Sequence, residues 1–144
     1  IERNQLSHKI TLETGDSEHL RFKSDSFDTA MAAFGVRNFE HLEEGLSEMY
    51  RVLNKNGVIM VLEFSRPRIF PIKQLYNFYF KYILPIIGKI VSKNNVAYDY
   101  LYESSSTFPC FEDFTAVLDK IGFINTRYYP LTFGICTIYL GEKR

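Results

Sequence analysis

The sequence predicts an open α/β sheet, because strand-like and helix-like stretches alternate along one domain. Apolar runs bounded by turn-forming residues alternate with stretches whose apolar residues recur at helical spacing. The chain has 144 residues, of which 46% are hydrophobic, which suffices for one domain with a real core. Its two cysteines form neither a disulfide framework nor a zinc pattern, so we expect a reducing, cytoplasmic compartment. Lys and Arg (17) balance Asp and Glu (17), so composition gives no reason to expect a nucleic acid partner.

The first half of the chain predicts three strands and one helix. Residues 9–14 alternate apolar and polar side chains, which is typical of a strand. Residues 27–34 are largely apolar and predict a strand buried on both faces. Residues 39–53 carry one apolar stripe at helical spacing, with Asn38 as the expected N-cap. Residues 58–62 are continuously apolar and form the best candidate for a central parallel strand.

The second half begins with an aromatic-rich stretch. Residues 72–91 show a helical pattern that Pro85 should break or kink, and residues 98–105 predict a second short helix. A short amphipathic helix follows Pro109 and should stop at Gly122.

Two closing strands are expected near residues 123–129 and 135–140. The link between them, residues 130–134, is short, which suits an antiparallel pair.

Polar residues follow three of the predicted strands where each ends. Asp16 follows the first strand, Arg37 and Asn38 follow the second, and Glu63 ends the third. Because ligands bind at the carboxyl ends of strands in open α/β sheets, we expect these residues to converge on one site.

Several classes of site are excluded by missing motifs. The sequence has no P-loop and no G-x-S-x-G nucleophile elbow. The three histidines, His8, His19 and His41, are not at metal-ligand spacing, so no metal is expected. No two glycines form the G-x-G loop that a nucleotide-type cofactor needs, so spacing alone predicts no complete cofactor site.

A set of motifs nevertheless falls in the order of a known family. These are Gly-Asp-Ser-Glu-His-Leu (15–20), Phe-Gly-Val-Arg-Asn-Phe (34–39), Met-Tyr-Arg-Val-Leu (49–53), Leu-Glu-Phe-Ser-Arg-Pro (62–67), Ala-Tyr-Asp-Tyr-Leu (97–101) with Glu103-Ser104, and Phe108-Pro109. Together they resemble the UbiE-type C-methyltransferases of menaquinone and ubiquinone biosynthesis, over nearly the whole chain. The resemblance implies a class I S-adenosylmethionine-dependent methyltransferase, a Rossmann-like α/β fold with a seven-stranded sheet in the order 3-2-1-4-5-7-6.

The resemblance also implies roles for matched positions. Asp16 and Ser17 look like the pair beside the adenine of S-adenosyl-L-methionine, and Ala33 falls where a small residue lies near that cofactor. Arg37 looks like the residue facing a polyprenyl quinol, where a guanidinium can stabilise the developing oxyanion. The remaining expected roles are catalytic for Glu63, Tyr98 and Glu103, in orienting or deprotonating the ring, and substrate-binding for Asn38, Tyr76, Tyr79 and Tyr100.

In this family the segment of about residues 68–108 would be a helical insertion that covers the site and meets the polyprenyl tail. Lysines interrupt its apolar run, so a transmembrane helix is not expected, whereas peripheral contact with a membrane is compatible with a lipid substrate.

The family's Gly-rich cofactor loop is absent from this sequence, so we expect a C-terminal part of one methyltransferase domain that is inactive alone. Ile1 is not a Met, and the opening residues lack the apolar stretch of a signal peptide. Residues 9–14 should have lost their neighbouring strand and be displaced, mobile or paired with another copy. The bare sheet edge could support a homodimer.

Three functional readings stay open at this point. The first is C-methylation of a demethylmenaquinol or of the equivalent ubiquinone precursor. The second is methylation of another apolar acceptor such as a sterol, and the third is a non-catalytic lipid-binding or interaction domain.

Overall fold

The computed structural model describes residues 8–84, 86 and 104–144, and within them four strands form one sheet. The strands are β1 (Phe27–Ala33), β2 (Leu53–Phe64), β3 (Phe123–Leu131) and β4 (Cys136–Lys143). Their order is β1-β2-β4-β3, with β1 parallel to β2 and both other pairings antiparallel. This order corresponds to 4-5-7-6 of the expected seven-stranded sheet, so the predicted α/β class and the antiparallel closing pair are confirmed.

The described helices are α1 (Leu42–Val52), α2 (Ile72–Phe78) and α3 (Glu112–Ile121). A π-helical turn, Tyr79–Ile83, continues α2, and residues 104–107 are also helical. The expected kink at Pro85 and most of the expected helix 98–105 lie outside the described residues. None of the helices in the described ranges is long and apolar enough to cross a membrane.

Helix α1 begins later than its sequence pattern predicts. His41 occupies the N-cap position without a side-chain cap hydrogen bond, whereas Asn38 ends a separate 3-10 turn, Val36–Asn38. The prediction of Asn38 as the cap is therefore wrong. The reason is that Phe39 adopts an extended conformation and separates the two helical segments.

The core lies between the sheet and helices α1 and α3. Its fully buried members include Leu46 of α1, Ile59 and Val61 of β2, and Phe114 of α3. The Phe114 ring lies 4.5 Å from that of Tyr139, centroid to centroid. The Phe111 backbone N–H donates to the Tyr139 hydroxyl at 2.9 Å, which satisfies this buried group. Burial raises the pKa of Tyr139 to about 12.

Two predictions at the start of the sheet are wrong. Residues 9–14 form no strand; they are exposed and pair with no strand in the described part of the chain, which agrees with the separate expectation that this segment is displaced. β1 forms as predicted but is largely exposed rather than buried on both faces, and the Met31 side chain is 70% exposed. The physical reason is that β1 is an edge strand, which among the described residues is hydrogen-bonded to β2 alone.

The boundary between α3 and β3 agrees with the sequence. Gly122 ends α3 at a φ of 119°, in the left-handed region that favours glycine, and its N–H donates to the Leu118 carbonyl.

The turn between β3 and β4 is unusual in its conformation. Thr132 and Phe133 both adopt positive φ angles without being glycine, and the Phe133 side chain is exposed.

Candidate active site

The most distinctive feature of the site is a buried ion pair between Arg37 and Glu63. Arg37 lies in the 3-10 turn after β1, and Glu63 is next to last in β2, so the parallel pairing of these strands brings the two residues together. Arg37 Nη1 donates to Glu63 Oε2 at 2.7 Å, and the Arg37 backbone N–H donates to Oε1 at 3.3 Å. The Glu63 side chain is fully buried and that of Arg37 is 11% exposed. The expected convergence of these two clusters has therefore formed.

The Arg37 guanidinium is fixed from several sides. Nη1 also donates to the Phe34 carbonyl at 2.8 Å, and the guanidinium carbon lies 5.4 Å from the centre of the Phe64 ring. Nε is buried and has no hydrogen-bond partner in the described part of the protein. A buried donor without a partner is costly, so this arrangement leaves capacity for an acceptor that the described chain does not supply.

Glu63 is placed to hold Arg37 rather than to take a proton from a ligand. Both of its oxygens accept hydrogen bonds from Arg37, and Oε2 also accepts from the Phe64 backbone N–H at 3.2 Å. Because the carboxylate is fully buried, a ligand would have to displace these partners to reach it.

A depression of about 410 Å³ lies along β1 and reaches Gly35, two residues before Arg37. We call it the β1 depression. Ser17, Ala33 and Gly35 border it, together with the loop residues Leu20 and Phe22 and apolar side chains of β1 and α1. Two of the three residues expected near the cofactor, Ser17 and Ala33, therefore meet at one hollow.

Asp16 takes part in a tight local turn. Its carboxylate accepts the Glu18 backbone N–H at 2.9 Å and lies 3.1 Å from His19 Nδ1. The backbone hydrogen bond from Glu18 lowers the pKa of Asp16 below its usual value, so the side chain is ionised at neutral pH. Asp16 borders a separate, smaller hollow of about 240 Å³, which also includes Ser17.

Helix α1 holds the loop that carries these residues. Leu20 N–H donates to Glu48 Oε2 at 2.8 Å, and Arg51 donates to the Leu20 and Phe22 carbonyls at 2.9 Å each. The hydrogen bond from Arg51 lowers the pKa of Glu48. The loop is thus fixed to α1 by charged groups that satisfy its backbone.

A second tie joins the loop to the start of α1. The Glu18 carboxylate accepts the His41 backbone N–H at 2.9 Å and lies 3.0 Å from His41 Nδ1. The hydrogen bond between the Glu18 carboxylate and the His41 ring raises the pKa of His41 above its usual value. Glu18, His41 and Glu44 place three candidate metal-ligand atoms within 4.8 Å of one another, in an exposed or half-buried setting that the sequence spacing did not reveal.

An apolar groove of about 520 Å³ begins at Phe64, the residue after Glu63. Tyr76 and Tyr79, two of the residues predicted to bind substrate, line it, and the Phe64 ring connects it to the Arg37 guanidinium. The remaining lining residues are Ile72, Leu75, Phe80, Leu84, Phe133 and Ile135. Burial raises the pKa of Tyr76 to about 12, although its hydrogen bond with Ser105 acts in the opposite direction. Tyr76 is therefore a neutral wall of the groove at physiological pH.

Of the other expected site residues, the structure describes Asn38. Asn38 is exposed at the end of the 3-10 turn, next to Arg37. Tyr98, Tyr100 and Glu103 lie outside the described residues.

Sequence reasoning missed Phe34 and Phe64, whose rings lie 4.8 Å apart beside the guanidinium, and the loop supports Glu48 and Arg51. Phe34 and Phe64 belong to the Phe-Gly-x-Arg-Asn and Leu-Glu-Phe-Ser motifs, and that membership could have indicated their place at the site.

The fold and this arrangement define a class of protein. The half-sheet of order β1-β2-β4-β3, with polar residues at the carboxyl ends of β1 and β2, is that of a class I S-adenosyl-L-methionine-dependent methyltransferase. A solved methyltransferase of this type from Thermotoga maritima superimposes with a TM-score of 0.64 at 21% identity, covering 90% of this chain and 62% of that one. This likeness supports the fold.

The chain belongs to the ubiE/COQ5 methyltransferase family, whose model matches residues 2–143. It is 43% identical over 143 residues to the demethylmenaquinone methyltransferase of Bacteroides fragilis, covering 99% of this chain and 58% of the relative. It is 45% identical to the ubiquinone/menaquinone biosynthesis C-methyltransferase UbiE of Geotalea daltonii, covering 99% and 60%. The chain thus spans a little under two thirds of these relatives. The family and the fold support S-adenosyl-L-methionine as the cofactor.

Proposed function

We propose that the complete protein transfers a methyl group from S-adenosyl-L-methionine to a ring carbon of a polyprenyl hydroquinone. The acceptor would be a demethylmenaquinol or the equivalent ubiquinone precursor. The observation that carries the proposal is that neighbours of the Arg37–Glu63 pair border both hollows. Gly35 borders the β1 depression, and Phe64, beside the Arg37 guanidinium, lines the apolar groove. Methyl transfer needs a polar cofactor and an apolar acceptor to meet, and the names of the relatives from Bacteroides fragilis and Geotalea daltonii agree with this chemistry.

The residues around the β1 depression fit part of this cofactor. Ala33 and Gly35 leave room at the end of β1, and the Cβ that Gly35 lacks would meet no atom closer than 3.9 Å. Asp16 borders the smaller hollow next to the β1 depression, and Ser17 borders both. Asp16 is ionised and can accept a hydrogen bond from the adenine amino group, and Ser17 adds a hydroxyl. The bound cofactor supplies an electrophilic methyl group on a sulfonium. In the proposal Asp16, Ser17 and Ala33 hold its adenosyl part.

The acceptor side depends on Arg37. When a phenolic proton leaves the hydroquinone, the neighbouring ring carbon becomes nucleophilic and negative charge develops on oxygen. A guanidinium stays charged throughout and stabilises such an oxyanion best in a site with little water. Glu63 keeps that guanidinium in place. Asn38 follows Arg37 in the sequence and would contact the ring. Tyr98, Tyr100 and Glu103 complete the proposal as residues that contact, orient or deprotonate the ring.

The apolar groove would receive the beginning of the polyprenyl tail. Its walls are the helical stretch from Ile72 and the β3–β4 turn, and Tyr76 and Tyr79 present aromatic faces to it. We assign the segment of about residues 68–108 the role of covering this groove. Because the substrate is a lipid, the protein would act in the cytoplasm in peripheral contact with a membrane.

The 144-residue chain itself would form homodimers through β1. On its side away from β2, β1 pairs with no strand among the described residues. A bare, apolar edge favours pairing with a second copy.

The first test is an assay of the complete protein with S-adenosyl-L-methionine and a short-chain demethylmenaquinol, analysed by mass spectrometry of the product. Arg37→Gln should lower kcat by about 100- to 1000-fold, the loss typical of one oxyanion-stabilising donor. Arg127→Gln is the matched control, because Arg127 is an exposed arginine on β3 whose nearest carboxylate oxygen, on Glu142, is 3.8 Å away. Full activity of the Arg37→Gln protein would contradict the assigned role.

The same assay separates the three readings. A sterol offered as acceptor should give no methylated product, and calorimetric titration should show S-adenosyl-L-methionine binding to the complete protein but not to the 144-residue chain. If the complete protein binds no cofactor, the non-catalytic reading is correct. If the short chain binds it at one site, the expectation of an incomplete cofactor site is wrong.

A further inference from the structure

The charges of this neutral chain are unevenly distributed along the sequence. Between Phe64 and Tyr98 there is no Asp or Glu, although basic residues recur throughout that segment. They are Arg66, Arg68, Lys73, Lys81, Lys89 and Lys93. Because the whole chain has 17 residues of each sign, the remainder carries an excess of acidic groups. A local positive excess on a neutral protein is expected to attract an anionic partner at this one place.

The described part of this segment exposes large apolar side chains at helical spacing. Phe78, Tyr82 and Ile86 follow one another at intervals of four, and all three are more than half exposed. Just before α2, Ile69 and Phe70 are 61% and 76% exposed. The helix therefore directs some aromatic residues inward, such as Phe80, and presents others outward. An outward apolar stripe of this size is typical of an interaction surface.

Basic and aromatic groups are interleaved on this surface. The Phe78 and Tyr82 rings lie 5.3 Å apart, centroid to centroid, and Lys81 Nζ lies 5.4 Å from the centre of the Tyr82 ring. Lys73 is exposed one turn after Ile69, whose carbonyl accepts the Lys73 N–H. Aromatic rings with lysines beside them suit the boundary of a bilayer, where rings enter the acyl region and ammonium groups reach the headgroups.

We propose that this basic aromatic surface, made of Ile69, Phe70, Lys73, Phe78, Lys81 and Tyr82, docks on a lipid bilayer that carries anionic headgroups. The inference rests on the proposed function for its purpose, since the apolar groove lined by Tyr76 and Tyr79 belongs to the same helix and would open toward the lipid. The proposal adds to that function the place of the membrane contact on the protein and the negative charge that the lipid must carry. Charge complementarity decides for this occupant, because a purely apolar partner would leave the lysines without counter-charges.

The test is flotation of the 144-residue chain with vesicles. One set contains phosphatidylglycerol and phosphatidylcholine in equal amounts, and the other contains phosphatidylcholine alone. Binding to the anionic set should be at least tenfold tighter and should weaken as salt is raised, because each basic group near such a surface contributes about fivefold. Equal binding to both sets, or no binding, would overturn the proposal.

Two pairs of variants locate the surface. Lys73→Glu with Lys81→Glu should reduce binding to anionic vesicles by about 25-fold or more, whereas Lys55→Glu, an exposed lysine at the start of β2, should leave it unchanged. Phe70→Ser with Phe78→Ser should also release the chain, and Leu12→Ser is the control, because Leu12 is 80% exposed outside this segment. A loss in the controls equal to that in the test variants would contradict the assignment.

Two further outcomes separate this inference from its alternatives. If the chain ignores vesicles, and Phe70→Ser with Phe78→Ser converts a dimer into monomers, the surface joins two copies and the lipid proposal fails. Activity of the complete protein on a short-chain quinol distinguishes the two proposals. Methylation without anionic vesicle binding defeats only the docking surface, and vesicle binding without methylation defeats only the proposed function.

Discussion

β1 and β2 are neighbouring parallel strands of similar apolar character, yet their side chains differ widely in burial. Ile59 and Val61 of β2 are fully buried and Met60, on the opposite face, is half-buried, whereas Met31 of β1, which pairs with Met60, is 70% exposed. β2 has a strand on each side, while β1 has only one neighbour in the described chain. An apolar strand in a sequence therefore indicates that something covers it, but the cover is set by neighbours that the strand does not encode.

The same contrast divides the helices. α3 directs Phe114 and Leu118 into the core, and both are fully buried. The stretch from Ile72 to Ile83 has a comparable apolar pattern, yet only Phe80 in it is buried. Where an apolar face remains exposed beside the site, its partner is expected to be a ligand, a lipid surface or another polypeptide rather than this core.

The sharpest test of the contrast compares adjacent strands. Ile59→Ala should lower the free energy of unfolding by about 4 kcal/mol, because it opens a cavity in a close-packed interior. Met31→Ala should change it by less than about 0.5 kcal/mol, because the side chain is mostly in water. Urea unfolding followed by circular dichroism measures both. Equal losses would mean that the face of β1 that carries Met31 is covered in solution.

The next test concerns the charged end of β2. Glu63→Gln should destabilise the fold by about 3 kcal/mol, because it leaves the Arg37 guanidinium buried without a counter-charge. The control is Glu43→Gln, which removes an exposed pair with Lys120 and should cost less than about 1 kcal/mol. A Glu63→Gln protein as stable as its control would show that the buried pair is open to water.

A smaller effect is expected at the end of α3. Gly122→Ala should cost about 1 kcal/mol, because alanine is strained at a φ of 119°. Gly35→Ala is a matched control, since its φ is −120° and the nearest atom to an added Cβ is 3.9 Å away. Thermal unfolding would compare them, and a loss at Gly35 as large as that at Gly122 would refute the conformational argument.

Much of this fold could be predicted from the sequence, and the two failures that bear on the site have one origin. α3, Gly122 and the closing strands were predicted because periodicity and a stop residue are local. The convergence of Arg37 with Glu63 was predicted because strand ends in a parallel pair share an edge. The burial of β1 and the fixing of the site loop by Arg51 could not be predicted, since both depend on which segments meet in space.

The smallest effect concerns an ion pair that joins the two kinds of region. Arg68, from the exposed basic segment, contacts the Glu112 carboxylate at the start of α3 at 2.8 Å, and Tyr128 donates to the same carboxylate at 2.5 Å. The hydrogen bond from Arg68, followed by that from Tyr128, lowers the pKa of Glu112 from 4.5 to about 2. A carboxyl whose pKa is lower in the folded than in the unfolded state stabilises the fold above the unfolded value. That contribution is lost as the pH falls from 4.5 toward 2.

The urea midpoint of the chain should therefore fall between about pH 5 and pH 3, and Glu112→Gln should fall less steeply over the same range. Arg68→Gln should flatten the profile in the same way, because it removes the main cause of the lowered pKa. Since both side chains are 58% exposed, water and salt screen the pair, and raising the ionic strength should bring the wild-type profile toward those of the variants. Parallel profiles for all three proteins at low salt would mean that the pair does not form in solution, and that the basic segment is not fixed to α3 at this point.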